Sequence, residues 1–136
     1  MDWKPISGLE SIPSPGLLVD ADRVTNNIHT MIDIVGSSNV GRLRPHVKTH
    51  KMSEVVRMQL DAGITKFKAA TIAEAQMIAQ AGGADVLIAY QMVGPNISRL
   101  GQLIEQFPET SFATVTDDIP VAEQLADQIG NLNREL

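Results

Sequence analysis

Four polar side chains that can do chemistry lie at alternate positions of the segment Leu-Arg-Pro-His-Val-Lys-Thr-His-Lys, residues 43–51. They are Arg44, His46, Lys48 and His50. An extended backbone would direct them to one side, because successive side chains of a strand point to opposite faces. Burying polar groups without partners costs free energy. The spacing therefore indicates a functional site rather than a strand that serves only packing.

Lys48 lies near the end of this predicted strand, where parallel α/β folds place their ligands. Neighbouring positive charge and partial burial both favour a neutral amine. A neutral lysine is a nucleophile, and it commonly forms a Schiff base with a carbonyl group such as the aldehyde of pyridoxal phosphate. Pro45 has no N–H to donate, so regular strand pairing is expected to begin at His46.

The elements that must position these residues alternate between strand and helix. The predicted strands are residues 17–20, 43–49, 66–71, 85–90 and 111–116, and their starts are 26, 23, 19 and 26 residues apart. Each spacing is the length of a strand plus a helix. Amphipathic stretches follow the strands, and helix starts are predicted near Asp22, Ser53, Thr71, Pro95 and Asp118. The pattern is typical of a parallel sheet.

Two parallel architectures fit this alternation, an open doubly wound sheet and part of a (β/α)8 barrel. The length of 136 residues suits the first. However, no Gly-x-Gly-x-x-Gly follows the first strand, and the second strand is polar on one face, whereas a sheet covered by helices on both sides should be apolar on both. These features favour a barrel, although a complete barrel needs eight strands and about 250 residues.

Composition narrows the class of protein. The chain has 43% hydrophobic and 20% charged residues, no cysteine and a formal net charge of −5. It contains no apolar run of about 18 residues and no amino-terminal signal peptide, so we expect no membrane partner and a cytoplasmic location. Without cysteine there are no disulfides or thiolate metal sites, and the acidic balance argues against a nucleic-acid partner.

The lysine segment resembles the motif of the D-threonine aldolase and D-serine dehydratase family, relatives of the alanine racemase amino-terminal barrel. Other segments resemble that family in the same order. Residues 15–20 resemble its opening strand, 57–63 its second helix, 70–75 the exit of its third strand and 85–90 its fourth strand. The resemblance covers nearly the whole chain.

The resemblance implies a pyridoxal 5'-phosphate cofactor, with Lys48 as the Schiff-base residue. It also implies a partial (β/α)8 TIM barrel of about five βα units, of the alanine racemase N-terminal type. Family members continue through further strands and a β-rich second domain, which supply most phosphate contacts and the ligands of a divalent metal. Residues 1–136 are therefore expected to be the amino-terminal part of the barrel, with the second domain and the metal ligands absent.

The remaining candidate residues have alternatives that the sequence leaves open. His46 and His50 are expected to shape the cofactor pocket rather than bind a metal, because no carboxylate or third histidine is near them in the sequence. Arg44 is either a phosphate ligand or an ion-pair partner. Thr71 is a helix cap that lies where a pocket could also use it. Tyr90 either lines the barrel mouth or packs there.

Two functions are compatible with these residues. The first is lyase chemistry that depends on pyridoxal phosphate and acts on a D-β-hydroxy amino acid, either as a D-threonine aldolase or as a D-serine dehydratase. The second is an inactive, truncated remnant that binds the cofactor weakly or associates through its open barrel edge. A small-molecule D-amino acid is the expected substrate, and a homo-oligomer, such as a dimer, is the expected assembly.

Overall fold

The computed structural model describes residues 5–130, which form five α-helices and a small parallel sheet. The helices are α1 Ala21–Val35, α2 Ser53–Asp61, α3 Ile72–Ala81, α4 Pro95–Gln106 and α5 Ile119–Ile129. The strands are β1 Lys66–Ala69, β2 Asp85–Ile88 and β3 Ser111–Thr114, and single-turn or short 3-10 helices cover Leu9–Ser11, Ser37–Arg42 and Val47–Thr49. No helix in this range is long and apolar enough to cross a bilayer.

The three strands are parallel and lie in the order β1-β2-β3. Lys66 is paired with Asp85, and Asp85 is paired with Ser111, so all three strands start at the same level. The helices α3 and α4 connect successive strands. All five predicted helices are present, and three of the five predicted strands are confirmed, each ending two residues earlier than predicted.

Only one face of the sheet is buried. Phe67 and Val86 are fully buried and Phe112 is nearly so, and they belong to one core cluster with residues of the helices. The residues that alternate with them, such as Lys68 and Ala113, remain partly or largely exposed. A doubly wound sheet would be buried on both faces. Helices on one face only are the arrangement of a barrel wall, so the fold is a partial (β/α)8 barrel.

The segment 43–49 is not the regular strand that the alternating pattern predicts. It has one bridge to the sheet, in which His46 is the partner of Lys68 and the Lys68 N–H donates to the Pro45 carbonyl at 2.9 Å. The chain then turns into the 3-10 helix Val47–Thr49. Pro45 lacks an N–H, and the His46 ring accepts the Lys48 N–H at 3.2 Å, so local bonds replace the ladder.

The predicted first strand, residues 17–20, is also absent. This segment is extended into solvent, and the Leu17 side chain is 78% exposed. A strand here would have to pair with the 43–49 segment in the order typical of a barrel. That segment offers few backbone groups for strand pairing, because Pro45 has no N–H and the chain turns after His46.

Most predicted helix starts are confirmed. Thr71 and Asp118 cap α3 and α5 through their side chains, and Pro95 is the first residue of α4. The start of α1 is earlier than predicted, because Asp20 caps it by accepting the Arg23 N–H at 3.2 Å. Ser53 is the first residue of α2 rather than its cap.

Candidate functional site

Lys48 lies on a tight turn that Val47 attaches to the core. The Val47 side chain is fully buried, and its carbonyl accepts the N–H groups of both His50 and Lys51, at 3.1 and 2.8 Å. Lys48 itself is exposed, so the partial burial expected from the sequence is not observed. The turn thus presents a lysine amine to solvent from a backbone held by several hydrogen bonds.

The two histidines on either side of Lys48 bond to the turn's own backbone. The Nδ1 atom of His46 accepts the Lys48 N–H at 3.2 Å, and the Nδ1 atom of His50 accepts the Met52 N–H at 3.1 Å. In a neutral His50 the proton is therefore on Nε2. That Nε2 atom is buried and has no hydrogen-bond partner among the described residues. Burial lowers the pKa of His50, although the negative charge of Glu74 opposes the shift.

A buried carboxylate, Glu74, holds the end of this turn. Its Oε1 atom pairs with the Nζ atom of Lys51, and its Oε2 atom accepts the Ala70 N–H at 2.7 Å. Burial alone would raise the pKa of Glu74, but the Lys51 and Ala70 hydrogen bonds outweigh it and hold the pKa below its usual value. The Glu74 N–H donates to the Thr71 hydroxyl at 3.1 Å, so the predicted cap is confirmed.

Arg44 lies at the opposite end of the sheet from Lys48. Its two Nη atoms bond to the two carboxylate oxygens of Asp85 at 2.6 and 2.9 Å, and one of them also donates to the Phe67 carbonyl at 3.2 Å. Asp85 is the first residue of β2, so this pair lies at the amino-terminal ends of the strands. The ion-pair alternative for Arg44 is therefore the one observed, and the four polar residues do not share one strand face.

Thr71 and Tyr90 meet at a cavity beyond the carboxyl ends of β1 and β2. Its volume is about 280 Å³, and its lining includes Ala70, Thr71, Tyr90, Met92 and Arg99. Tyr90 is 63% exposed, so it lines the mouth rather than packing in the core. Ala70 connects this cavity to the lysine turn, because its N–H bonds to Glu74.

A model of the alanine racemase N-terminal domain matches residues 19–134, which is most of the chain. This chain belongs to the alanine racemase N-terminal domain family. The predicted family and fold class are thereby confirmed. The sequence and the structure therefore agree on the lineage.

Curated relatives of this family member include two named enzymes. One is a D-threo-3-hydroxyaspartate dehydratase from Delftia sp. (strain HT23), which is 30% identical over 118 residues; these are 87% of this chain and 30% of the relative. The other is a D-threonine aldolase from Arthrobacter sp., which is 32% identical over 101 residues, or 74% of this chain and 26% of the relative.

A solved structure is also similar to this chain. The D-threonine aldolase from Filomicrobium marinum superposes with a TM-score of 0.78 at 28% identity, over 92% of this chain and 33% of that protein. The chain thus spans about a third of the length of the proteins that it matches. The comparisons therefore establish the family of the chain and not its activity.

Asp85, Lys51 and Glu74 also organise the site, and the sequence indicated only the last of them. Asp85 and Lys51 are partners of Arg44 and Glu74 across 41 and 23 positions of the chain, so no local pattern connects them. Glu74 did have a signal, the capping-box spacing from Thr71. Its carboxylate, however, reaches the Ala70 N–H and Lys51. Within residues 5–130 no three His, Asp or Glu side chains are grouped to bind a metal ion.

Proposed function

We propose that this chain contributes the Schiff-base lysine, Lys48, of a lyase that depends on pyridoxal phosphate and acts on D-β-hydroxy amino acids. The observation that carries the proposal is the contrast between two lysines of one turn. Lys48 is exposed on a bonded turn, whereas Lys51 is paired with the buried Glu74. A nucleophile must be accessible and positioned, and of these two lysines Lys48 meets both conditions.

The residues around Lys48 fit an aldehyde cofactor that carries hydrogen-bond acceptors. The buried Nε2 atom of His50 is a donor without a partner among the described residues, and a buried donor without a partner is costly. An oxygen or ring nitrogen of the cofactor would satisfy it. Tyr90 and Thr71, at the cavity beyond the strand ends, would face the same ligand, since ligands of parallel barrels lie at that end.

Pyridoxal phosphate, when bound, supplies an electron sink for chemistry at the carbon next to the substrate amine. The residues of this chain have simpler tasks. Lys48 supplies the amine, His46 and His50 keep the turn in shape through their Nδ1 atoms, and Glu74 fixes the end of the turn. Arg44 is left out of the cofactor contacts, because its guanidinium group is paired with Asp85 at the amino-terminal ends of the strands, opposite to the Lys48 turn.

The names of the relatives support the substrate class. A D-threonine aldolase and a D-threo-3-hydroxyaspartate dehydratase both carry in their names a D-configured amino acid with a β-hydroxyl group. The two names differ in the bond that is broken, so we propose the shared substrate class and lyase-type reaction and leave aldol cleavage and dehydration as alternatives. The proposed cytoplasmic location and the dimer remain predictions.

Borohydride trapping tests the proposal. The chain is incubated with pyridoxal phosphate at equal concentration and reduced, and the modified lysines are located by peptide mass spectrometry. We expect modification at Lys48 to exceed that at Lys66 and Lys68. In Lys48→Arg, we expect no modification of the peptide that contains position 48. An even distribution over the lysines, or no adduct at Lys48, would refute the assignment.

A second candidate function is an inactive chain that associates through its sheet edge. The observation in its favour is that β3 has no strand partner on its outer side among the described residues. Turnover distinguishes the two candidates. Cleavage of D-threonine or deamination of D-serine by the chain, lost in Lys48→Arg, supports the enzyme, whereas Lys48 modification without turnover supports the inactive alternative.

A further inference from the structure

Glu74 is the only charged side chain among the described residues that is buried, with 5% of its surface exposed. A buried carboxylate is costly unless its oxygens are paired. Both oxygens are paired here, one with Lys51 and one with the Ala70 N–H. The arrangement joins the first turn of α3 to the segment that carries Lys48.

Lys51 has an unusual backbone for a lysine. Its φ angle is +53°, and it is the only non-glycine residue among those described that has a positive φ. The left-handed region is unfavourable for residues with a Cβ atom. Lys51 is held there by its N–H bond to the Val47 carbonyl at 2.8 Å and by the ion pair with Glu74. The ion pair thus opposes the strain of the turn.

The turn is attached to the sheet region at both of its ends. Before Lys48, His46 forms the bridge to Lys68 of β1. After Lys48, the ammonium group of Lys51 binds Glu74 in the first turn of α3. Glu74 is in turn bonded to the N–H of Ala70, the residue that follows β1. Without the second attachment, the residues between Val47 and α2 would be held by hydrogen bonds within the turn, among them the bond from the Met52 N–H to the Nδ1 atom of His50.

We propose that Glu74 is a positioning residue for Lys48, and that it acts by holding Lys51 and thereby the turn that presents the Lys48 amine. This inference rests on the proposed function of Lys48. Neither Glu74 nor Lys51 needs to contact the cofactor. Their role is to keep one backbone geometry, which determines how often the amine is in the reactive position.

Glu74→Gln tests the role, because the amide keeps the shape and an acceptor for the Ala70 N–H but removes the charge. Glu54→Gln is the matched control, since Glu54 and Arg57 form an exposed ion pair within α2. In Glu74→Gln we expect the amides of His50 and Lys51 to exchange hydrogen about tenfold faster. We also expect trapping of pyridoxal phosphate at Lys48 to slow by about tenfold. Glu54→Gln should match the unmodified chain in both measurements.

Lys51→Gly is the second variant, and it covers the case in which Glu74→Gln does not fold. The Lys51 side chain is 60% exposed, and glycine adopts a positive φ without strain. If backbone preference alone held the turn, this variant would protect the two amides as well as lysine does. We expect faster exchange and slower trapping instead, with both restored in Lys51→Arg, which keeps the charge.

The outcomes separate this inference from the proposed function. If the unmodified chain forms no adduct at Lys48, the proposed function fails, and the exchange rates at His50 and Lys51 still show whether Glu74 holds the turn. Unchanged exchange and trapping in Glu74→Gln and Lys51→Gly would overturn the inference. An equal loss in Glu54→Gln would overturn it as well, because the effect would then follow from charge alone. Circular dichroism at the assay temperature confirms that each variant is folded.

Discussion

At the scale of single residues, His50 connects the chemistry of the site to pH. Its Nδ1 atom accepts a backbone N–H and its Nε2 atom is buried, so the folded protein favours the neutral ring. Burial lowers its pKa below the ordinary value of 6.5. The unfolded chain therefore takes up a proton at a higher pH than the folded one, and protonation favours unfolding.

We expect His50 to make the chain less stable as the pH falls below about 6.5 and through the lowered pKa of the folded state. Above that range its contribution is constant. Urea denaturation at a series of pH values measures the effect, and His50→Asn removes the titrating group. The same loss of stability between pH 6.5 and the lower pKa in this variant would contradict the prediction.

Arg44 supplies a second prediction at this scale, one of stability rather than chemistry. Its side chain and that of Asp85 are 28% and 31% exposed, and the pair is bidentate. Arg44→Ala removes the ion-pair partner of the half-buried Asp85 carboxylate and one donor to the Phe67 carbonyl. We expect a loss of about 2 kcal/mol in the free energy of unfolding, the range for hydrogen bonds to charged groups.

The matched control for Arg44 is Arg57→Ala. Arg57 lies 3.9 Å from Glu54 on the surface of α2, and such pairs within one helix contribute about 0.5 kcal/mol or less. Chemical denaturation of both variants gives the comparison. Equal losses would mean that the Arg44 pair behaves as an ordinary surface pair.

At the scale of elements, the sequence predicted the regular parts and failed where one proline and local hydrogen bonds decide the path. The strands β1 to β3 have apolar residues at buried positions and lie between helices with clear caps, so their pattern was sufficient. Residues 43–49 also alternate, but Pro45 and the His46 ring end the pairing after one bridge. Alternation reports which side chains differ in polarity and does not report whether a ladder forms.

The site follows the same division. Thr71 was predicted as a cap and is one, because capping depends on residues that are close in sequence. The Lys51–Glu74 and Arg44–Asp85 pairs depend on how distant segments pack, so no local pattern in the sequence identifies which residues are paired. Residue types and spacing singled out Lys48, and only the structure showed which of its neighbours are already engaged.

The junction of α3 with β2 contains a glycine that packing requires. Gly83 is buried, and a Cβ atom there would collide with the side chain of Ile78 and lie 3.2 Å from the Ile78 carbonyl oxygen. We expect Gly83→Ala to lower the free energy of unfolding by about 1–3 kcal/mol, since overpacking forces backbone shifts. Thermal and urea denaturation measure the change.

Gly41 is the control for this prediction. A Cβ atom at Gly41 would meet no atom within 4 Å, and its φ is not positive. Gly41→Ala should change the free energy of unfolding by no more than about 0.5 kcal/mol, in either direction. If both variants lose the same stability, the cost would come from removing glycine as such and not from the contact with Ile78.

At the scale of the whole molecule, several apolar side chains remain exposed. Leu17, Ile34 and Ile119 are 78%, 80% and 75% exposed, and the outer edge of β3 has no strand partner among the described residues. Exposed strand edges and apolar side chains favour association with another chain. The chain is therefore expected to associate as its concentration rises.

Light scattering over a range of concentrations tests this expectation, with Ala113→Lys as the variant. The Ala113 side chain is exposed on β3, and a lysine on an edge strand opposes pairing with another strand. We expect the mean mass of the unmodified chain to rise with concentration and that of the variant to rise less. Gln102→Lys, on the exposed part of α4, adds the same charge elsewhere and should leave association unchanged.

The segment around Lys48 is fastened at two distant points of the sheet region. Arg44 binds Asp85 at the amino-terminal end of β2, and Lys51 binds Glu74 just beyond the carboxyl end of β1. The number of residues between the two anchors is then set by the length of the strands that they span. An insertion or deletion between them would detach one anchor, so relatives that keep both ion pairs should align across residues 44–51 without a gap.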